Sequence, residues 1–192
     1  AMITRAEELL DLPVGSVRVS VLVETVQSMY ELEEIVYHLR ERITGLAAGR
    51  WDYVFSHVRT YGHRQEHLLP DRDSFTMNTK FLRTYADVII RVAQRRGVQA
   101  IGGPVALTTG GPFDESLAMT QAQIARDKAR EARQGFDGAW VLHPELAPVA
   151  RAPFEERDRR RERGEELVPT ERPSGDIDAL ALRDVSSVFG TA

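Results

Sequence analysis

The chain has 192 residues, 42% apolar and 28% charged, with a formal net charge of -4 and no cysteine. That length supports one well-cored domain rather than two of full size, and the charge argues against a general binder of nucleic acid or anionic membrane. Without cysteine there are no disulfides, thiolate metal sites or thiol nucleophiles.

No apolar run approaches the ~20 residues needed to span a bilayer. The start, AMITRAEELLDLP, is amphipathic and unlike a signal peptide, and VFGTA at the end carries no recognisable address. A cytoplasmic protein is the expectation.

In chain order, a short helix at 5–10 stops before Pro13, and VRVSVLVE at 17–24 reads as a strand, β-branched and nearly continuous in apolar character. Residues 26–42 carry a 3.6-period apolar face and read as one helix. ITGLAAG, 43–49, is a short buried strand, and WDYVFSHV opens the next element before a long polar loop. Residues 79–97 form a helix with Gly97 as its stop.

VQAIGGPVAL, 98–107, is a third strand, and 116–135 a helix rich in i,i+4 charge pairs. GAWVLHP, 138–144, is a fourth strand, and Pro144 opens a helix that two further prolines should interrupt. Residues 1–164 make the barrel portion, and 165–192 a polar tail or linker.

Strand and helix thus alternate four times with long crossovers, which demands parallel strands and an α/β fold. Four βα units are half of an eight-fold barrel of the TIM type, or a small open sheet. Polar residues gather just beyond the strand ends, at Glu24, Arg50–Asp52, Gly102–Pro104 and His143–Pro144. Parallel folds place their sites there.

Glu24 and Asp52 each follow a strand, so both carboxylates project over one end of the sheet. Two hard oxygen ligands suit Mg²⁺, which takes its remaining ligands from water and substrate. The competing reading makes both residues caps of the helices that follow. Backbone N–H groups around Gly49, Arg50 and Trp51 offer a cradle for a carboxylate.

Other candidates carry less. His57, His63 and His67 sit in or near the polar loop and read as solvated, because no H-E-x-x-H or comparable spacing supports a metal cluster. IGGPVALTTGG matches neither a phosphate loop nor G-x-G-x-x-G. The arginine run at 157–163 is interleaved with acids and reads as a solvated helix face. No G-x-S-x-G elbow supports a serine triad.

At GLAAGRWDYVFS the chain resembles the malate synthases of the A type. VSVLVET, ELEEIVYHLRERITGL, LPDRDSFTMNTKFLRTYADVIIRVAQRRG, AIGG, RDKAREARQGFDG and WVLHPELAPVA agree in order and spacing. The resemblance spans roughly residues 5 to 150, with a fainter echo to about 186. It implies a (β/α)₈ barrel that condenses acetyl-CoA with glyoxylate and hydrolyses the thioester to malate and CoA, as in the glyoxylate cycle. By motif, it implies Mg²⁺ on Glu24 and Asp52, and the glyoxylate carboxylate on the backbone of Gly49, Arg50 and Trp51. Gly103 and Pro104 fall in a wall near the acetyl-CoA thioester, with His143 and Pro144 at the next strand tip.

The chain also departs from that family. Its members are far longer, their catalytic arginine lies upstream of this stretch and their aspartate base downstream, and neither is identifiable here. The run after Gly-Gly reads PVALTTGG rather than the family's usual continuation. The short length suggests a part of a longer enzyme, a half-barrel completed by a second copy or another chain, or a remnant binding metal or acyl-CoA without turnover. A lyase acting on malyl-CoA or citramalyl-CoA type thioesters is the alternative enzyme, although GRWDY is not expected there.

Overall fold

The computed structural model describes residues 2–71, 76–105, 115–165, 182 and 184–185. The chain divides into two compact units, residues 1–99 with 176–192, and residues 100–175.

The first unit runs α1 (Met2–Leu9), β1 (Val19–Val23), α2 (Val26–Tyr30), α3 (Leu32–His38), β2 (Ile43–Ala48), α4 (Arg50–Tyr61) and α5 (Lys80–Arg96). β1 and β2 pair in parallel, with Val23 beside Ala48 at their C-terminal ends. Every β2 residue except Thr44 is buried, so a continuous apolar run is what this strand requires.

α5 supplies the main packing face. Thr79 caps its start, accepting from Leu82 N at 3.5 Å, and Gly97 ends it at φ +68°, a conformation that costs glycine nothing. Phe81, Leu82, Tyr85, Ala86, Ile89 and Ala93 are wholly buried at helical spacing, each large side chain contributing roughly 1.5–3 kcal/mol. Tyr53 of α4 stacks on Tyr85, with ring centroids 4.3 Å apart, and its hydroxyl donates to Leu182 O at 2.9 Å. Glu7, wholly buried, receives Arg42 at 2.6 and 2.7 Å and the N–H groups of Gly15 and Val17. That ties α1 to the start of β2.

The single helix expected over 26–42 is two helices broken at Glu31. The buried positions Val26, Met29 and Leu32 advance by three residues, shorter than the 3.6 of a regular α-turn, and the break at Glu31 accommodates that step.

The second unit carries β3 (Gln99–Gly102), α6 (Glu115–Gln134), β4 (Gly138–Ala139) and α7 (Ala147–Glu162), which follows a 3₁₀ turn at Pro144–Leu146. β3 and β4 are parallel, Ile101 beside Gly138 and Gly102 beside Ala139. β4 is far shorter than the 138–144 expected. One further rung follows, Trp140 N to Gly102 O at 3.0 Å. Beyond it the next rung would need an N–H from Pro104, which has none, so the ladder stops there. Residues 106–107 of the expected third strand, and most of the expected tail, lie outside the described residues.

α7 continues through Pro153 instead of breaking there. Ala150, Phe154 and Arg157 are buried on either side of it, and Arg157 donates to the Phe136 carbonyl. Anchored on both flanks, the helix tolerates the loss of one hydrogen bond. No helix among the described residues is long and apolar enough to cross a membrane.

Candidate functional site

β1 and β2 end level, and Gly49 N donates to Val23 O at 3.5 Å, so the segments leaving the two strands lie side by side. The first is Glu24–Thr25 and the second Gly49–Arg50. Thr25, not Glu24, caps α2. Its Oγ1 accepts from Ser28 N at 3.1 Å while Ser28 Oγ accepts from Thr25 N at 3.2 Å, a closed capping box. Gly49 is the N-cap of α4, which has no side-chain cap hydrogen bond, so Asp52 does not cap that helix either. The helix-capping alternative for the two carboxylates is therefore absent from the structure.

What remains is a cavity of about 480 Å³ bordered by Glu24, Thr25, Asp52, Ser56 and Arg59 among others. Neither the Glu24 nor the Asp52 carboxylate has a hydrogen bond or ion pair to a described residue. Asp52 is exposed and stands in the first turn of α4, where the helix dipole favours negative charge. Gly49 is packed against Glu24. A Cβ at Gly49 would lie 2.8 Å from Glu24 Cβ and 3.0 Å from its Oε2.

Of the proposed carboxylate cradle, the Gly49 N–H is engaged by Val23, while Arg50 and Trp51 occupy the first turn of α4. The first bond of the helix is Tyr53 N to Gly49 O at 2.9 Å. Below the cavity, Tyr85 also donates its hydroxyl to Val23 O. Burial raises that phenol well above its ordinary value, so it stays a neutral donor bracing the end of β1. Among the described residues no group of three His, Asp or Glu side chains is placed to hold a metal ion. Two carboxylates bordering a cavity with room for water are a donor set that fits a cation keeping much of its hydration.

The other expected residues belong to the second unit. Gly103 and Pro104 follow β3, and Lys128 Nζ donates to Gly103 O at 2.6 Å. His143 is exposed and opens the 3₁₀ turn, its Nδ1 accepting from Glu145 N at 3.4 Å, with Pro144 next.

Two features escaped the sequence reading. Lys128 and Glu131, read there within a helix rich in i,i+4 charge pairs, are buried at 0% and 4% exposure. They are paired at 2.9 Å beneath Gly102, where a Cβ would sit 2.1 Å from Glu131 Oε2. The signal was present in spacing, because Thr120, Ile124, Lys128 and Glu131 fall on one helical stripe. His57 is the second. It is not a solvated loop residue but a wholly buried one inside α4.

The profile described as "Malate synthase, TIM barrel domain" matches residues 1–172. Malate synthase of Streptomyces clavuligerus is 44% identical over 151 residues, and that of Arabidopsis thaliana 40% over 150. These stretches cover 78% of this chain but only 28% and 27% of the relatives, so the chain spans just over a quarter of their length. Among solved structures, the Haloferax volcanii malate synthase lead(II) complex superposes with a TM-score of 0.55 at 18% identity, covering 79% of this chain and 38% of that one. The citrate lyase beta subunit of M. tuberculosis, complexed with oxaloacetate and magnesium, gives 0.52 at 20%, covering 79% and 57%. The structural likenesses bear on the fold. The family match over residues 1–172 places the chain in the malate synthase family, within its TIM-barrel domain.

Proposed function

We propose that this chain is the metal-holding part of a malate synthase, which condenses acetyl-CoA with glyoxylate and hydrolyses the thioester to malate and CoA, the malate-forming step of a glyoxylate cycle. The observation that carries the reading is the pair of carboxylates, Glu24 and Asp52, bordering one cavity at adjacent strand ends with no hydrogen-bond or ion-pair partner among the described residues. Membership of the family supports it.

Glu24 and Asp52 would hold Mg²⁺. When bound there, that ion supplies Lewis-acid polarisation of the glyoxylate carbonyl and neutralises the developing oxyanion. The N–H groups of Arg50 and Trp51, at the positive end of α4, would receive the glyoxylate carboxylate. Gly49 leaves Glu24 the space its side chain occupies. Gly103 and Pro104, with His143 and Pro144, are the proposed acetyl-CoA contacts. Proton abstraction from the acetyl methyl group is assigned to no residue of this chain.

The test mixes the protein with Mg²⁺, acetyl-CoA and glyoxylate and follows free thiol. With no cysteine in the chain, all thiol comes from CoA. Glyoxylate-dependent release that disappears in Asp52→Ala supports the full reading. Mg²⁺ stabilisation without release limits the chain to holding the metal, and absence of both overturns the proposal.

A further inference from the structure

His57 is wholly buried in the middle of α4, and neither of its ring nitrogens has a hydrogen-bond partner among the described residues. His67, in the 3₁₀ turn Gln65–His67, buries an Nδ1 that likewise has none. Buried imidazole nitrogens are normally satisfied, and orphaned ones call for an explanation. Here they occur as neighbours. The two ring centroids are 5.3 Å apart, with the planes at 65°.

That separation has a chemical meaning. Two imidazoles bound at ~2.0–2.1 Å to one tetrahedral Zn²⁺ place their ring centroids about 5 Å apart. Phe81 lies 5.2 Å from His57, and Tyr61 lies 5.0 Å from His57 and 4.9 Å from His67. Beside His67 opens a largely apolar cavity of about 580 Å³, bordered by Trp51, Val58, Leu68 and Pro70. It leaves room for water or an exogenous ligand to complete four-coordination.

We propose that His57 and His67 form a two-imidazole site for a borderline transition cation of the Zn²⁺ type, distinct from the Glu24–Asp52 carboxylates. Ligand chemistry sorts the two places. Imidazole selects Zn²⁺, Cu²⁺ or Ni²⁺, whereas a pair of carboxylates favours Mg²⁺. A cation at the histidines clips the 3₁₀ turn to α4, the helix that carries Asp52 in its first turn. The inference is independent of malate synthesis, because it rests on two histidines to which the proposed reaction gives no role.

Co²⁺ is the probe, titrated in saturating Mg²⁺ while visible absorption is followed, since tetrahedral Co²⁺ absorbs far more strongly than octahedral. A saturable one-to-one signal is expected, bleached by Zn²⁺. It should weaken at least tenfold in His57→Phe and in His67→Phe, and persist in Asp52→Asn. His57→Phe keeps an aromatic ring against Phe81, and the more exposed His67→Phe keeps the test decisive if the first variant does not fold. A signal lost in Asp52→Asn but retained in both histidine variants, or no tetrahedral signal in the wild type, overturns the proposal.

Discussion

Gly49 and Glu24 are fitted to one another, since a methyl group on Gly49 would stand 2.8 Å from Glu24 Cβ and 3.0 Å from its carboxylate oxygen. The backbone of Gly49 has φ -104°, which any residue adopts, so the glycine is needed for space rather than for conformation. Gly49→Ala should therefore push Glu24 out of the cavity. The overpacking costs ~1–3 kcal/mol, and the Mg²⁺ response should go with it. In the wild type, Mg²⁺ at a hundredfold over Kd should stabilise by ~2.7 kcal/mol. Thermal unfolding with and without Mg²⁺ measures both effects, and an intact Mg²⁺ response in Gly49→Ala would remove Glu24 from the ligand set.

Asp52 separates binding from folding more cleanly. It is exposed and caps nothing, so its structural contribution is limited to its charge in the first turn of α4, ~0.3–1 kcal/mol. Asp52→Asn should unfold within about 1 kcal/mol of the wild type in urea without metal, yet lose the Mg²⁺-dependent gain. A large loss of metal-free stability would show that Asp52 has a structural role.

How much of this was legible in the sequence depends on what each residue faces. β1, β2 and α5 could be read directly, because burial on one or both sides forces apolar runs and Thr79 and Gly97 mark the helix ends. The places of Glu24 and Asp52, beyond the ends of β1 and β2, could be read from position alone. What could not be read is where burial was met by polar pairing. Lys128 and Glu131 are charged, so their stripe on α6 looks solvated until Gly102 and Gly103 are seen against it. His57 likewise looks polar in a sequence but packs as an aromatic. β4 is short because the next rung after Trp140 would need an N–H from Pro104, a matter of register between strands that the residues of β4 themselves do not record.

The Lys128–Glu131 pair gives a prediction in the second unit. Burial lifts the Glu131 carboxyl to about 7 against the opposing pull of the Lys128 ammonium. Lys128→Met would leave that buried carboxyl without its 2.9 Å partner, with Arg130 at 3.8 Å as a more distant cation, and also free the Gly103 carbonyl. Destabilisation of ~3–5 kcal/mol is expected, read as a lower urea midpoint. The double variant Lys128→Met/Glu131→Gln should regain much of it, because no charge is then stranded. If the single variant is as stable as the wild type, the pair does not organise the end of β3.

Acid sensitivity of the first unit should trace to Glu7. Its carboxyl accepts from Arg42, Gly15 N and Val17 N, and the Arg42 hydrogen bond, outweighing burial, lowers it from 4.5 to about 2. A carboxyl that binds its proton less readily when folded stabilises the native state above its unfolded value. That contribution is complete above pH 4.5, declines as the pH falls, and is gone below about 2. Glu7→Gln keeps the shape and loses the charge, so it should be less stable at neutral pH and show a flatter stability profile between pH 4.5 and 2. Unfolding followed by circular dichroism across that range compares the two slopes. Parallel profiles would move the acid sensitivity to other carboxylates and leave the Glu7–Arg42 pair a packing contact between α1 and the start of β2.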